Sequence, residues 1–253
     1  MSTEEFIMPL LKTENISKSF GTDTVIKDIN IHLNKGEIVS LLGVSGAGKT
    51  TLFNIISGLI KADSGKIYLN DENISFVSGK ISYMLQKDLL LPHKKVIDNV
   101  SLPLVLKGKS KKEARREADR YFKEFGLDGT QYNYPSQLSG GMRQRAALLR
   151  TYLASNGAAL LDEPFSALDA ITKSNIHAWY LDVMQKIDMS TLFITHDVDE
   201  AVLLSDRIYI LKGKPATITD EIIIDKDLKS RGGFEVSEEF LKYKRIVLEK
   251  LKP

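Results

Sequence analysis

A glycine-rich loop with one lysine and two threonines is the strongest chemical signal in the chain. Residues 43–51 read GVSGAGKTT and stand between an apolar run at 38–42 and a helix-like run at 52–56. The spacing GxxxxGK[ST] between strand and helix is that of a P-loop, in which backbone N–H groups can surround phosphate oxygens at the positive end of the helix. Lys49 can reach the terminal phosphates, and the Thr50 hydroxyl can bind Mg²⁺. The alternative is a glycine-rich turn that merely starts a helix.

Two acids end a second apolar run. Residues 158–164 read AALLDEP, which places Asp162 and Glu163 at the carboxyl end of a buried strand. Ligands bind at that end in open α/β sheets. Asp162 suits the Mg²⁺ sphere of a P-loop site, and Glu163 is placed to polarise an attacking water as a general base. A strand that ends in a polar turn is the alternative, which the upstream P-loop disfavours.

A third segment, residues 138–145, reads LSGGMRQR. Ser139 before two glycines gives a helix N-terminus with N–H donors and a hydroxyl, and structurally it is an N-cap. The string closely resembles the signature motif of ABC transporter ATPases. The P-loop, LSGGMRQR, LLDEP and a later histidine stand in that family's order, and the resemblance extends over residues 10–225.

The resemblance assigns roles to four residues that the bare sequence does not single out. Gln86 matches the Q-loop glutamine, which senses Mg²⁺ and the γ-phosphate and connects to the membrane partner; a lone glutamine is usually a surface residue. Asp169, at the end of SALD, matches the D-loop at the dimer interface, but alone it is an N-cap. His196, after LFIT, matches the switch histidine on the γ-phosphate, although a lone histidine is usually structural. Phe20 matches the aromatic that stacks on adenine, for which a ring face suffices; a core phenylalanine is the alternative.

The residues that the motifs and the resemblance together single out fall into three groups. The catalytic group is Glu163, His196, Gln86 and Lys49. The Mg²⁺ ligands are Thr50, Gln86 and Asp162. The ATP-binding residues are Phe20, Gly43, Ser45, Gly46, Ala47, Gly48, Lys49, Thr50, Thr51, Gln86, Ser139, Gly140, Gly141, Asp162, Asp169 and His196.

One P-loop and one signature motif per chain imply, by the resemblance, a dimer with two ATP molecules at its interface. The second subunit is another copy or a paralogous ATPase. Ser139 and Gly141 of one copy would then donate to a γ-phosphate held by Lys49 of the other. ATP binding closes the pair and hydrolysis reopens it, which is a ligand-driven population shift.

Strand and helix patterns alternate along most of the chain, which predicts an α/β fold with a mainly parallel sheet. We expect a single ABC ATPase domain over 1–253, with a P-loop NTPase (RecA-like) core at 1–87 and 156–225 and an antiparallel β edge. An inserted helical subdomain is expected at 88–155 and a C-terminal helical tail at 226–253. In detail, residues 11–20 favour an edge strand, 63–65 a turn, 109–125 one helix and 238–251 another.

Composition bounds the function. The 253 residues are 43% hydrophobic and 27% charged, as in an ordinary globular protein, and the lack of cysteine excludes a Cys-based zinc or iron–sulfur site. A net charge of +2 gives no argument for a nucleic-acid partner. The basic run at 107–116 is interleaved with acids, which favours a solvated helix face over a nucleic-acid or lipid surface. A membrane-proximal contribution of these charges is the alternative. No signal peptide or membrane span is expected, so we predict a cytoplasmic protein, peripheral on the inner face of the membrane.

Residues 83–92, 142–146 and 161–170 resemble the forms found in nitrate, sulfonate, taurine and thiamine-precursor importers. The implied function is ATP hydrolysis that energises uptake of a small solute, such as a sulfonate, a nitrate-like anion or a thiamine or pyrimidine precursor. The implied partners are a transmembrane permease and, indirectly, an extracytoplasmic solute-binding protein. Residues 87–104 resemble the groove for the permease, with Leu89, Leu90, Leu91 and Val96 expected to be exposed.

Two other classes compete with an importer subunit. A soluble ABC ATPase of repair, translation or cofactor assembly usually carries a coiled-coil insert, paired domains or a divergent signature. A P-loop kinase or GTPase has no signature loop at all.

Overall fold

The computed structural model describes residues 8–166, 169–229 and 233–252. Described residues up to Ile81 and from Ser190 onwards form one compact unit, called the first unit, and Ser82 to Met189 form the second. The elements, in chain order, are β1 (Leu11–Phe20), β2 (Asp23–Ile29), β3 (His32–Leu33), β4 (Ile38–Gly43), α1 (Lys49–Ile56), β5 (Ser64–Leu69), β6 (Glu72–Asn73), β7 (Ser82–Met84), α2 (Val96–Val100), α3 (Leu102–Leu106), α4 (Lys111–Asp119), α5 (Gly140–Ala154), β8 (Ala158–Asp162), α6 (Ala170–Lys186), β9 (Ser190–Thr195), α7 (Val198–Leu204), β10 (Arg207–Gly213), β11 (Ala216–Ile223), α8 (Lys226–Lys229) and α9 (Glu238–Leu251).

A sheet forms the centre of the first unit, with strand order β6-β5-β1-β2-β11-β10-β4-β9. Strands β10, β4 and β9 are parallel, whereas β5, β1 and β2 pair antiparallel. Every residue of β4 is buried, as expected for a parallel strand covered on both faces. In the register, Leu42 lies opposite Thr195. The carboxyl ends of β4 and β9 therefore lie side by side.

Helix α9 is fixed to the first unit by its apolar face. Ser237 caps it by accepting a hydrogen bond from the Phe240 N–H at 3.1 Å, and two glutamates occupy its first turn. Phe240 and Val247 are buried in a cluster with Ile208 and Ile210 of β10. Each such burial contributes about 1.5–3 kcal/mol. The predicted helix at 238–251 is confirmed.

The second unit combines a short parallel strand pair with helices. Strands β7 and β8 are joined in a register that sets Met84 opposite Leu161. Helix α5 packs against α2, α3 and α6. The Arg145 guanidinium of α5 lies 4.7 Å from the Trp179 ring centre of α6, a cation–π contact. The carboxyl ends of β7 and β8 therefore lie near each other. The long helices α5 and α6 pack together in the same unit.

Three local expectations were wrong. Strand β1 is not at an edge, because β5 and β2 flank it. Residues Ser64 and Gly65 begin a strand rather than a turn; Gly65 has φ +95°, and a Cβ there would lie 2.4 Å from the Glu14 carbonyl oxygen. The helix expected at 109–125 ends at Asp119. Phe122 and Phe125 beyond it are still fully buried, so the apolar stripe is real although the helix is shorter.

Among the described residues, no helix combines the length and apolar character needed to cross a bilayer.

Arg207 and Glu37 form a buried ion pair in the first unit, and we expect a large loss of stability when Arg207 is replaced. Arg207 Nε lies 2.8 Å from Glu37 Oε1, and these side chains are 12% and 7% exposed. Arg207→Met leaves the Glu37 carboxylate buried without this cation, so we expect the free energy of unfolding to fall by about 3 kcal/mol. Urea unfolding measures this.

The matched control for this prediction is Lys12→Met. Lys12 pairs with Glu14 at 2.7 Å, but those side chains are 48% and 38% exposed. We expect a loss below about 1 kcal/mol. Equal losses for the two variants would contradict the role of burial.

Candidate active site

Glycines fix the P-loop against neighbouring strands of the first unit. Gly48 has φ +90° and precedes α1; a Cβ there would lie 2.7 Å from Ile26 Cγ2 of β2. A Cβ on Gly43 would lie 2.5 Å from the Leu211 carbonyl oxygen of β10. A residue with a side chain at either position would push the loop away from these strands.

The loop presents polar groups at the start of a helix. Ser45, Gly46 and Thr50 are exposed, Thr51 is half-buried and Ala47 is buried. The first turn of α1 holds no acidic residue. The positive end of the helix dipole therefore faces the loop without a competing carboxylate in that turn, which favours an anion.

The ammonium of Lys49 is folded back over the loop. Lys49 is 7% exposed, and its Nζ donates to the carbonyl oxygens of Gly43 at 2.7 Å and Val44 at 2.9 Å. Charged donors form their strongest hydrogen bonds with charged acceptors such as phosphate oxygens. Lys49 is thus already held beside the loop that would receive the phosphates.

His196 follows the strand next to the P-loop strand. It is exposed, immediately after β9. Hydrogen bonds hold the turn that carries it. Thr195 Oγ1 donates to Glu200 Oε2 at 2.5 Å and accepts from the Asp197 N–H at 3.0 Å, and Asp197 caps α7. Since β4 and β9 end side by side, His196 and the P-loop leave the sheet at the same edge.

Phe20 ends β1 and is 49% exposed, so it is not a core residue. The Lys18 ammonium lies 5.4 Å from the ring centre. Phe20 pairs with Asp23 of β2, the strand whose Ile26 lies closest to Gly48. An exposed ring therefore stands on the hairpin that borders the P-loop.

The second unit brings Gln86 and Glu163 together. Gln86 Nε2 donates to Glu163 Oε2 at 3.1 Å and to Ser166 Oγ at 3.4 Å, and Ser166 Oγ donates to the Glu163 carbonyl oxygen at 3.0 Å. Glu163 has φ +45°, a left-handed conformation that is rare for a long side chain. Such strain costs about 1–3 kcal/mol and clusters at functional sites.

Tyr83 of β7 holds the carboxylate at the end of β8. Its hydroxyl donates to Asp162 Oδ2 at 3.2 Å, and Asp162 is 8% exposed. Burial, followed by the charge of Asp162, raises the pKa of Tyr83. The phenol therefore stays protonated and remains a donor to Asp162.

The signature segment begins α5. Ser139 Oγ accepts from the Met142 N–H at 3.2 Å, and Gly140 and Gly141 form the first turn. A Cβ on Gly141 would lie 3.4 Å from Thr172 Cγ2 of α6. Asp169 caps α6 by accepting from the Thr172 N–H at 3.1 Å. The starts of α5 and α6, which carry Ser139 and Asp169, are thus in contact through Gly141 and Thr172.

Oxygen donors that suit Mg²⁺ occur in both units. They are the Thr50 hydroxyl in the first unit and the Asp162 carboxylate and Gln86 amide oxygen in the second. Mg²⁺ prefers oxygen ligands and takes only one or two protein carboxylates besides phosphate and water. The chemistry of these donors fits Mg²⁺.

The segment after Gln86 is less exposed than its composition predicted. Leu89 is 52% exposed, but Leu90 is 7% exposed, Val96 is fully buried and Leu91 is half-buried. The expectation of four exposed apolar residues was therefore wrong for Leu90, Leu91 and Val96. Leu85, which is 39% exposed, was missed.

The basic run forms internal ion pairs. Arg115 donates to both carboxylate oxygens of Asp98 at 2.8 and 2.7 Å, and Lys109 pairs with Glu117. The hydrogen bond from Arg115 lowers the pKa of Asp98 despite partial burial. These contacts favour the predicted solvated helix face over a nucleic-acid or lipid surface, because Arg115 and Lys109 are already paired with acids of the same unit.

Comparison with known proteins identifies the family. The model of the family described as ABC transporter matches residues 26–166, more than half of the chain. The formylaminopyrimidine import ATP-binding protein ThiZ of Halalkalibacterium halodurans is 43% identical over 226 residues, 89% of this chain and 88% of the relative. The aliphatic sulfonates import ATP-binding protein SsuB of Bacillus cereus is 40% identical over 202 residues, 80% and 79% of the two chains.

A solved structure described as the dimeric form of a bacterial ABC transporter cassette aligns with a TM-score of 0.72 at 29% identity. It covers 85% of this chain and 99% of that chain. The chain therefore belongs to the ABC transporter family, as an ATP-binding, ATP-hydrolysing subunit of the importer group.

The predicted family, α/β P-loop NTPase fold, ATPase activity and importer function are confirmed, and no finding favours a soluble non-transport role. The roles of single residues and of Mg²⁺ stay predictions. Sequence reasoning missed Tyr83 and the side-chain contact of Ser166. The position of Tyr83, three residues before Gln86 on a strand, was the available signal.

Proposed function

We propose that two copies of this chain bind two ATP molecules between them and that the resulting closure drives a membrane permease. The Gln86 Nε2 hydrogen bond to Glu163 Oε2 at 3.1 Å supports the link to the permease, because it joins the segment proposed to face the permease to the residue proposed as general base. Dimeric cassette structures among the structural relatives support the pairing.

The P-loop residues hold the triphosphate in this proposal. Lys49 exchanges its hydrogen bonds to two backbone carbonyls for hydrogen bonds to phosphate oxygens. The N–H groups of the loop donate to the remaining phosphate oxygens. Phe20 stacks on the base through its exposed ring. Glu163 accepts a proton from the attacking water, and His196 contacts the γ-phosphate.

Mg²⁺ is assigned to Thr50, Asp162 and Gln86. When bound, it would neutralise charge on the phosphates. Tyr83 donates to the Asp162 oxygen Oδ2 and so fixes the orientation of that carboxylate. Asp169, at the start of α6, is assigned to the interface between the copies, together with Ser139, Gly140 and Gly141.

The assignment of Asp162 predicts an effect for Tyr83→Phe. Loss of the hydrogen bond from the Tyr83 hydroxyl to Asp162 should raise the Mg²⁺ concentration needed for half-maximal ATPase activity by about 10–100-fold. A titration with Mg²⁺ at saturating ATP measures this, and Mn²⁺ binding to the nucleotide complex gives a second readout. Tyr132→Phe, at a site 69% exposed, is the control. An unchanged Mg²⁺ requirement in Tyr83→Phe would count against Asp162 as a ligand.

Mixing two inactive variants tests the dimer. Lys49→Ala lacks a working P-loop and Gly141→Asp lacks a working signature turn, so each homodimer is inactive. In a mixed dimer, one site combines an intact P-loop with an intact signature turn, and ATPase activity should return to at most about half of the wild-type rate per dimer.

The control is a mixture of Lys49→Ala with Thr50→Ala. Both substitutions disable the P-loop, so no mixed dimer has an intact site. Restored activity in the control, or none in the test mixture, would refute sharing of the site between copies.

The permease, the solute-binding protein and the location at the inner face of the cell membrane complete the proposal. Relatives named for import of formylaminopyrimidine, aliphatic sulfonates and nitrate support a small organic or inorganic solute. Co-purification of the chain with a multispanning permease, followed by ligand identification on the associated binding protein, tests this. A chain that co-purifies only with soluble partners would favour the non-transport alternative.

A further inference from the structure

Two arginines of α5 hold the segment at Asp88 and Leu89. Arg150 donates from Nη1 to the Leu89 carbonyl oxygen at 2.9 Å and from Nη2 to the Asp88 carbonyl oxygen at 2.5 Å. Arg143 Nε lies 3.3 Å from Asp88 Oδ2. These arginines are two helical turns apart, about 10.5 Å along one face of α5. The segment is therefore attached to α5 at two points, one at Arg143 and one at Arg150.

The other end of the same segment is held by α2. Asn99, fully buried, accepts from the Leu91 N–H at 2.6 Å and donates to the Leu91 carbonyl oxygen at 3.1 Å. Its amide also reaches the carbonyl oxygens of Lys94 and Lys95. Segment 88–91 is thus fixed to two helices of the second unit.

Leu89 projects from this fixed segment. It has φ +45° and is 52% exposed, whereas the next residue, Leu90, is buried. A leucine in the left-handed region is strained and persists only where its surroundings hold it. The two carbonyls held by Arg150 flank the Leu89 Cα, so the strain is maintained by a side chain of the helix that begins at Gly140.

Burial of the Arg150 guanidinium costs desolvation free energy, which an apolar side chain at this position would not. Desolvation lowers the pKa of Arg150 despite the neighbouring charge of Asp88. An apolar side chain of similar length would fill the same space without that cost. The guanidinium adds a planar fork of donors that can bind two carbonyl oxygens at once.

We propose that Arg150 is a positioning residue that couples Leu89, where the permease contacts the subunit, to the start of α5 at Ser139. This inference rests on the proposed function, since it takes the permease as the partner at Leu89. Movement of Leu89 is then passed to the signature turn through the guanidinium rather than through general packing.

The experiment uses the permease complex in proteoliposomes and the variants Arg150→Met, Arg150→Lys, Leu89→Ala and the double variant Arg150→Met with Leu89→Ala. The measured quantity is the ratio of ATPase rates with and without the permease. Arg150→Met should lower this ratio by about fivefold or more. Arg150→Lys should recover only part of it, because a single ammonium lacks the fork. Arg120→Met, at an exposed position of the same unit, is the control and should keep the wild-type ratio.

The double variant separates coupling from a general loss of structure. If Arg150 acts through Leu89, the double variant should be no worse than the more affected single variant. Multiplied effects would overturn the link, as would an unchanged ratio in Arg150→Met. Thermal unfolding of each variant is measured in parallel, and Arg150→Lys carries the test if Arg150→Met does not fold.

A second arm distinguishes failure of this inference from failure of the proposed function. A wild-type chain whose ATPase rate is insensitive to the permease would refute the proposed partner. Hydrogen exchange of the isolated chain still tests the link: Arg150→Met should speed exchange at 87–91 and also at 139–145. Faster exchange confined to 87–91 would overturn the coupling.

Discussion

Glu163→Gln is expected to lower ATP turnover by between about a hundredfold and ten-thousandfold while nucleotide binding survives. Glutamine has the size of glutamate, and its amide oxygen can still accept the Gln86 bond seen at 3.1 Å. The amide cannot accept a proton from water, so the chemical step is lost and the geometry is kept. Phosphate release measures turnover, and calorimetric titration with ATP measures binding.

Glu124→Gln is the matched control for this prediction. Glu124 is an exposed glutamate of the same unit, so its replacement changes the net charge equally. We expect Glu124→Gln to hydrolyse ATP at the wild-type rate.

Glu163→Gln should also accumulate as a trapped dimer. With ATP and Mg²⁺ it should elute as a dimer in size-exclusion chromatography, because closure occurs without hydrolysis. Equal ATPase rates for wild type and Glu163→Gln would refute the assignment of the base.

The sequence determined most of the fold because the signals for its central elements are local. The strand β4 is an almost continuous apolar run, and the motif spacing identified the glycines of the loop after it. The structure supplies the steric reason for two of them, because a Cβ on Gly43 or Gly48 would collide with β10 or β2. Helix α9 has a serine cap and a clear apolar stripe. Helix α4 was overestimated because Phe122 and Phe125 continue the stripe into turns that bury them equally well.

Strand neighbours were harder to predict than strands. The alternation in β1 shows which side chains are buried, but it does not say that β5 pairs with one edge and β2 with the other. Residues 63–65 were predicted as a turn because Asp, Ser and Gly are typical turn residues, and Gly65 does have the left-handed φ of +95°. Here it allows the close approach of β5 to the Glu14 carbonyl.

In the candidate site, too, the positions of single residues could be predicted from the sequence, whereas their contacts could not. Motif spacing located Lys49, Asp162 and Glu163, because each lies at the end of a strand or the start of a helix. The contacts that orient these groups join residues far apart in sequence, such as Tyr83 with Asp162 and Arg150 with Asp88. No periodicity reports such a contact, so only coordinates reveal that the signature helix holds the segment after Gln86.

Lys49→Ala is expected to weaken ATP binding by about thirtyfold to several thousandfold, since removal of a charged hydrogen-bonding partner costs about 2–5 kcal/mol. The Lys49 ammonium donates to the carbonyl oxygens of Gly43 and Val44, and Val44 is 58% exposed. Water can replace the ammonium at Val44, so the variant should fold.

The measurement for Lys49→Ala is the rise in melting temperature on addition of ATP. Wild type gains about 2.7 kcal/mol of stability at an ATP concentration one hundred times the dissociation constant. At that same concentration, the variant should gain much less because its dissociation constant is higher. Lys66→Ala, at an exposed lysine of β5 in the same unit, should keep the full rise. An ATP-induced rise in Lys49→Ala equal to that of wild type would mean that the backbone N–H groups and the helix dipole bind the phosphates without the lysine.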